Sequence, residues 1–218
     1  MKYLLLLTFC LTSCFVTAQK ENQVVDAPSQ TNQNISIPQT QQKPEKVVSD
    51  IPKTDWERIF FEGINERTNE AGLKSLRKTH VAENDIDVRV WMGFGLSKLE
   101  GFILKRINKQ WAAIHIESNY ASKKFVSRNI KLNEPDAGWE KTWQELIDAD
   151  ILTLPDAESI NCNPGAVDGF SYVVEIKKGI NYRTYMYENP DMDFKNKCSE
   201  AEQIQKIIKI IFQDYKIK

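Results

Sequence analysis

In residues 86–94, Ile86, Val88, Val90, Met92 and Phe94 alternate with Asp87, Arg89, Trp91 and Gly93. Successive side chains of a strand point to opposite faces, so this period of two specifies a half-buried strand and is incompatible with a helical repeat. Comparable runs occupy 73–81, 99–107 and 111–118, with Glu83-Asn84-Asp85 and Asn108-Lys109-Gln110 as turns. Strands joined by turns this short pair antiparallel, which predicts a meander. A further hairpin is expected from 170–177 and 180–188 across Lys178-Gly179, where glycine supplies the backbone freedom of a tight turn.

Three segments carry helical signals instead. Thr54 and Glu57 form a capping box, predicting a short helix that carries Ile59, Phe60 and Phe61 inward and stops near Gly63. Asp136 is expected to cap a second helix, in which Trp139, Trp143, Leu146 and Ile147 form one apolar stripe. Pro155 ends the segment that follows it. Ser199 and Glu202 make another capping box, opening a helix with Ala201, Ile204, Ile207, Ile208 and Ile211 on one face. The expected fold is α+β: an antiparallel sheet of about six strands, a meander plus a C-terminal hairpin, with two covering helices on one face and a short N-terminal helix.

The N-terminus sets the address. Met1-Lys2-Tyr3 precedes the apolar run Leu4 to Phe9 and then small and polar residues, which resembles a secretory signal peptide. Val16-Thr17-Ala18 resembles an ordinary signal-peptidase site, and Leu11-Thr12-Ser13-Cys14 resembles a bacterial lipobox that would leave Cys14 acylated. The lipobox would leave a leader shorter than usual, so the boundary is taken after Ala18, with lipidation of Cys14 as the alternative. Residues 19–54 contain no aromatic residue and no glycine but seven Gln and four Pro, the composition of a disordered tether. The organisation expected is therefore a signal peptide at 1–18, a tether at 19–54 and one globular domain at 55–218.

Export accounts for the cysteines. Cys10 is lost with the leader, and Cys14 is either lost or lipidated, leaving Cys162 and Cys198 as an even pair expected to form a disulfide. Two cysteines without a nearby histidine lack the ligands of a metal site, and no cofactor motif is present. The 29 Lys and Arg nearly cancel the 30 Asp and Glu, which argues against the basic face that nucleic acid requires. The densest basic stretch, Lys123, Lys124, Arg128 and Lys131, is expected to be a solvated loop. Contact with a membrane is expected only through a lipid on Cys14.

Candidate chemistry is sparse. The two histidines are His80, near Asp85 and Asp87 and so a possible general base, and His115, expected to be a satisfied or exposed strand residue opposite Ile114 and Ile116. No nucleophile elbow, zinc-protease helix or phosphate loop accompanies them. Residues 189–200 place oxygens at alternate positions like a calcium loop, but Phe194 stands where glycine is required, and an ordinary polar loop is expected. Arg183, Tyr185 and Tyr187 share one face of the last hairpin and are expected to form an exposed recognition patch, since Tyr and Arg dominate interface hot spots.

The succession of sheet, helix, hairpin and helix resembles that of uncharacterised exported bacterial proteins and implies address rather than activity. The function expected is a non-catalytic extracytoplasmic domain binding another protein or a surface glycan. The alternatives are an extracytoplasmic hydrolase using carboxylates with His80 assisting, and a structural or accessory envelope protein.

Overall fold

The computed structural model describes residues 42–52, 57–94, 98–121, 124–162, 169–193 and 198–217. Its framework is a six-stranded antiparallel sheet: β1 (Ile86–Phe94), β2 (Lys98–Ile107), β3 (Gln110–Ala121), β4 (Lys124–Leu132), β5 (Ser171–Lys178) and β6 (Asn181–Glu188). The order across the sheet is β4-β3-β2-β1-β5-β6. The meander and the C-terminal hairpin are thus both present, and the hairpin joins through β5 against β1. The helices are α1 (Glu57–Glu70), α2 (Trp139–Asp148), the short α3 (Pro190–Asp193) and α4 (Ser199–Asp214).

Two strand assignments exchange places. Residues 73–81 contain only a 3-10 turn at Leu76–Lys78, and Lys124–Leu132, expected as a solvated loop, forms the edge strand β4. The physical reason lies in partners. Leu76 is fully buried against the sheet while its neighbours Arg77 and Lys78 are exposed, which suits a turn laid over a face. The exposed cations Arg128 and Lys131 suit an edge, where charge discourages pairing with other chains.

Both faces of the sheet are covered, not one. Ile86, Val88, Val90 and Met92 face α2 and α4, joined by Phe102, Leu104, Val174 and Ile176 from neighbouring strands. The α4 stripe of Ala201, Ile204, Ile207 and Ile211 is buried there as the periodicity requires, with Trp143, Leu146 and Ile147 of α2. On the opposite face α1 buries Phe61 and Ile64 against Trp91, Ile103, Ile116 and Val173. α1 therefore runs past Gly63 to Glu70, because the sheet below rewards a longer apolar stripe. β1, expected to be half-buried, is buried on both sides from Ile86 to Met92.

The caps differ from expectation. Gly138, with φ of 84°, precedes α2, and Glu134 rather than Asp136 accepts from the Trp139 N–H, at 3.4 Å. Asp136 pairs with Lys216 at 2.8 Å. Cys198 occupies the N-cap of α4 and makes no side-chain cap bond, and Ser199 donates to Glu200 instead. The Thr54 capping residue lies outside the described residues.

Residues 42–52, expected within a disordered tether, pack as a strap on the sheet and move the start of the folded part back from residue 55. Val47 joins the core beneath α2 and α4. Asp50 bridges in parallel to Arg183 at the β6 edge, its N–H donating to Tyr182 O and its carbonyl accepting from Thr184 N. Glu45 accepts from Arg106 (2.6 and 2.9 Å), Lys178 (2.5 Å) and Trp143 Nε1 (2.8 Å). Burial would raise the Glu45 carboxyl, but these hydrogen bonds overcome it and hold the group down at about 2. The tether's composition gave no sign of this, because the docking groups, Glu45, Val47 and Asp50, are single residues scattered through a polar segment. The leader and residues 19–41 lie outside the described residues.

Candidate functional site

The expected recognition patch is interior. Arg183, Tyr185 and Tyr187 are 7%, 1% and 0% exposed. The Arg183 guanidinium pairs with Asp50 at 2.9 Å and donates to the carbonyls of Thr153 and Leu154. Tyr185 donates to Ile151 O and Tyr187 to Pro155 O, each at 2.9 Å. Burial drives the Tyr185 hydroxyl well above its ordinary value, so it stays a donor. These residues therefore anchor the loop at 150–157 from behind. Sequence periodicity put them on one face correctly, but the loop that covers that face is remote in the chain.

The front of that loop forms one wall of an open depression of about 220 Å³, with α4 as the other wall. Asp150, Thr153, Leu154 and Pro155 line the first wall, and Ser199, Glu200 and Gln203 the second. Cys162 and Cys198 are joined in a disulfide with Cα atoms 5.9 Å apart, which fastens the chain after the loop to the start of α4. Asp150 sits at φ of 66°, a conformation its short polar side chain tolerates. It accepts from Lys43 of the strap at 2.8 Å and from Thr153 Oγ1 at 3.1 Å. Gln203 Oε1 is buried without a hydrogen-bond partner. The depression is thus lined by two hydroxyls, two carboxylates and an amide beside the apolar Leu154 and Pro155.

The histidines separate. His80 is exposed beyond the 3-10 turn, while both carboxylates expected near it are buried: Asp85 accepts from Asn108 N at 2.8 Å, and Asp87 pairs with Lys105 at 2.9 Å and Arg89 at 3.7 Å. His115, expected satisfied or exposed, is 4% exposed on the α4 face, and its Nε2 makes no hydrogen bond. Glu100 lies 3.6 Å from Nε2 and Glu117 lies 3.9 Å from Nδ1. Sequence reasoning missed this because β2 and β3 bring Glu100 opposite Glu117, beside His115, only through their register.

A second buried cluster lies under α1. Glu175, fully buried, accepts from Trp91 Nε1 and Tyr182 Oη, both at 2.8 Å. Burial raises its carboxyl, against the lowering pull of the Trp91 bond and the Arg89 charge. With no exposed atom to meet a substrate, it is a structural network. The region at 189–200 is no calcium loop in its described part: Pro190–Asp193 is a helical turn and Asn189 accepts from Phe170 N at 3.1 Å. Among the described residues no three His, Cys, Asp or Glu side chains form a group that could hold a metal ion. Nor is any described helix long and apolar enough to cross a membrane.

No protein-family model matches this chain, and no curated protein matches its sequence.

Proposed function

We propose that this chain is an exported domain that acts by binding, and that the depression between the 150–155 loop and α4 takes a polyhydroxylated ligand, a surface glycan. The observation that carries this reading is that its loop wall is held from behind by Arg183, Tyr185 and Tyr187 while Asp150, Thr153, Ser199, Glu200 and Gln203 line the depression in front of it. A wall fixed before the ligand arrives lowers the ordering cost of binding, and hydroxyls, amide and carboxylates are complementary to sugar hydroxyl groups. Export is supported by the leader's resemblance and by the Cys162–Cys198 disulfide, which persists in oxidising compartments.

For the hydrolase alternative, His80 is exposed while Asp85 and Asp87 are buried and engaged by Asn108 N and by Lys105. The structural or accessory reading has no observation of its own in its favour.

Calorimetry with soluble fragments of envelope glycan tests the site. Binding by the native domain, lost in Gln203→Leu and Glu200→Gln with melting temperature unchanged, is the expected result. Equal binding by native and variant domains, or none by either, would remove the proposal. Export is tested separately: the full chain, expressed with its leader, is expected outside the cytosol without Met1 and with both thiols blocked to alkylation.

A further inference from the structure

The two outer strands of the sheet are finished differently. Along β6, outward backbone groups find partners. Tyr182 N donates to Ser49 Oγ at 3.3 Å, and Tyr182 O accepts from Asp50 N at 3.2 Å. Thr184 N donates to Asp50 O at 3.0 Å, Met186 N donates to Asp156 Oδ2 at 2.9 Å, and Met186 O accepts from Ala157 N at 3.2 Å. The strap and the 150–157 loop thus close that edge. β4 has no such cover: among the described residues, no backbone bond joins it to any segment but β3. Every second residue of an antiparallel edge strand turns its N–H and C=O outward, so β4 presents a row of unpaired donors and acceptors.

Most devices that blunt an edge are missing from it. β4 is nine residues long, about 30 Å, contains neither proline nor glycine, and keeps unbroken register with β3. α1 meets β4 on its face, where Asn129 Nδ2 donates to Ala71 O at 3.4 Å. What the strand does carry is charge. Arg128 and Lys131 are exposed and, among the described residues, in no ion pair, although register sets Glu117 opposite Arg128. Val126, 58% exposed, adds an apolar contact two residues from Arg128 on the same face.

These features select an occupant. A second copy pairing about a two-fold axis would bring Arg128 and Lys131 of both chains together, and like charges opposed across strands destabilise. A strand bearing carboxylates meets the same cations favourably. Residues 19–41 of this chain hold two acids, Glu21 and Asp26, five positions apart, whereas Arg128 and Lys131 are three apart on opposite faces. We propose that the outer edge of β4 takes an extended acidic segment of another protein as an added strand. Its backbone pairs with β4, two carboxylates three positions apart meet Arg128 and Lys131, and an apolar side chain covers Val126. The edge shares no residue with the depression, and the proposal stands whether or not a glycan binds there.

Amide hydrogen exchange of the oxidised protein reads the edge directly. In the free protein the outward amides of β4 are expected to exchange fast, while those of Thr184 and Met186 are protected. The probes are two short peptides of threonine and valine, each with two glutamates three positions apart. The valine that meets Val126 follows the glutamates in one and precedes them in the other, which covers both strand directions. Saturable protection of the β4 amides by one of the two is the expected result, lost when alternate peptide amides are N-methylated. Exchanging both glutamates for glutamine, or making Arg128→Glu together with Lys131→Glu, should weaken binding about tenfold, the sum of two cross-strand charge pairs. The charge-reversed protein should then take the same peptide with lysines in place of the glutamates. Protection of β4 already present in the free protein, from a second copy or from its own residues 19–41, overturns the proposal. So does silence toward both peptides, or a response indifferent to N-methylation or to charge.

Discussion

Beneath α2 and α4, the middle of the sheet is apolar: Val88, Val90, Phe102, Leu104, Val174 and Ile176 are all buried. Beneath α1, the same three strands bury Asp87, Arg89 and Glu175 alongside Trp91, Ile103 and Val173. On the first face, charge sits at the margins and clasps other segments, as Glu45 does with Arg106 and Lys178. On the second it is enclosed. Arg89 donates to Lys74 O at 2.8 Å, and Lys105 reaches Asp87. The difference teaches that an Asp or Arg alternating with apolar residues need not mark a solvent face. A charge can be buried when another charge and directed donors meet it, although such a network adds specificity more surely than stability.

The comparison is most exposed to attack at the disulfide, which belongs to the apolar face. Replacing Cys162 and Cys198 together by serine is expected to cost about 4 kcal/mol, from the entropy of the loop their bond closes. Urea unfolding of oxidised and variant domains measures it, and an unchanged midpoint would mean that the apolar face needs no staple.

Next comes the marginal charge. Glu45→Gln is expected to cost about 2 kcal/mol at neutral pH, the linkage value of a carboxyl held well below its ordinary range, discounted because solvent screens a half-buried group. Because the folded value is depressed, to about 2 from 4.5, this stability is present above the ordinary value and lost as pH falls through the folded one. The variant should therefore match the native domain in strong acid and fall below it at neutral pH, a difference that thermal melts across that range would show.

On the α1 face, Gly101 marks how tightly the network's indole is packed. A methyl there would meet Trp91 at 2.9 Å and Ile116 at 3.3 Å. Gly101→Ala is expected to cost about 2 kcal/mol through overpacking, read from the denaturation midpoint. The equivalent test of the enclosed charge is smaller and lies in a slope. Glu175 has a raised carboxyl, so its contribution is full below the ordinary value and is lost as pH rises through the folded value. Glu175→Gln should flatten that decline. If the slope of melting temperature against pH is the same in both proteins, the carboxylate is not the group that responds.

Much of this was legible along the chain. The alternation in 86–94 marked β1, the turn at Lys178-Gly179 marked the last hairpin, and the isoleucines after Ala201 marked the buried face of α4. The pairing of Cys162 with Cys198 followed from arithmetic and compartment. Three things were not legible. The strap looked like tether because Glu45 finds Arg106, Trp143 and Lys178 only after the fold has assembled them. Leu73 to Val81 read as a strand because a turn laid over a sheet also needs an apolar residue inward. The Tyr and Arg of β6 read as surface because nothing local shows that the 150–157 loop returns to cover them.

What the sequence determined by itself is local: the period of each apolar run and the residues able to turn. These depend on a few neighbouring residues, and their physics is complete within a short window of chain. The tertiary structure alone decided which faces are closed, which carboxylates are paired, and where His115 lies between Glu100 and Glu117. Those outcomes depend on strand register and on contacts between distant segments, where a single charge gains a partner or loses water.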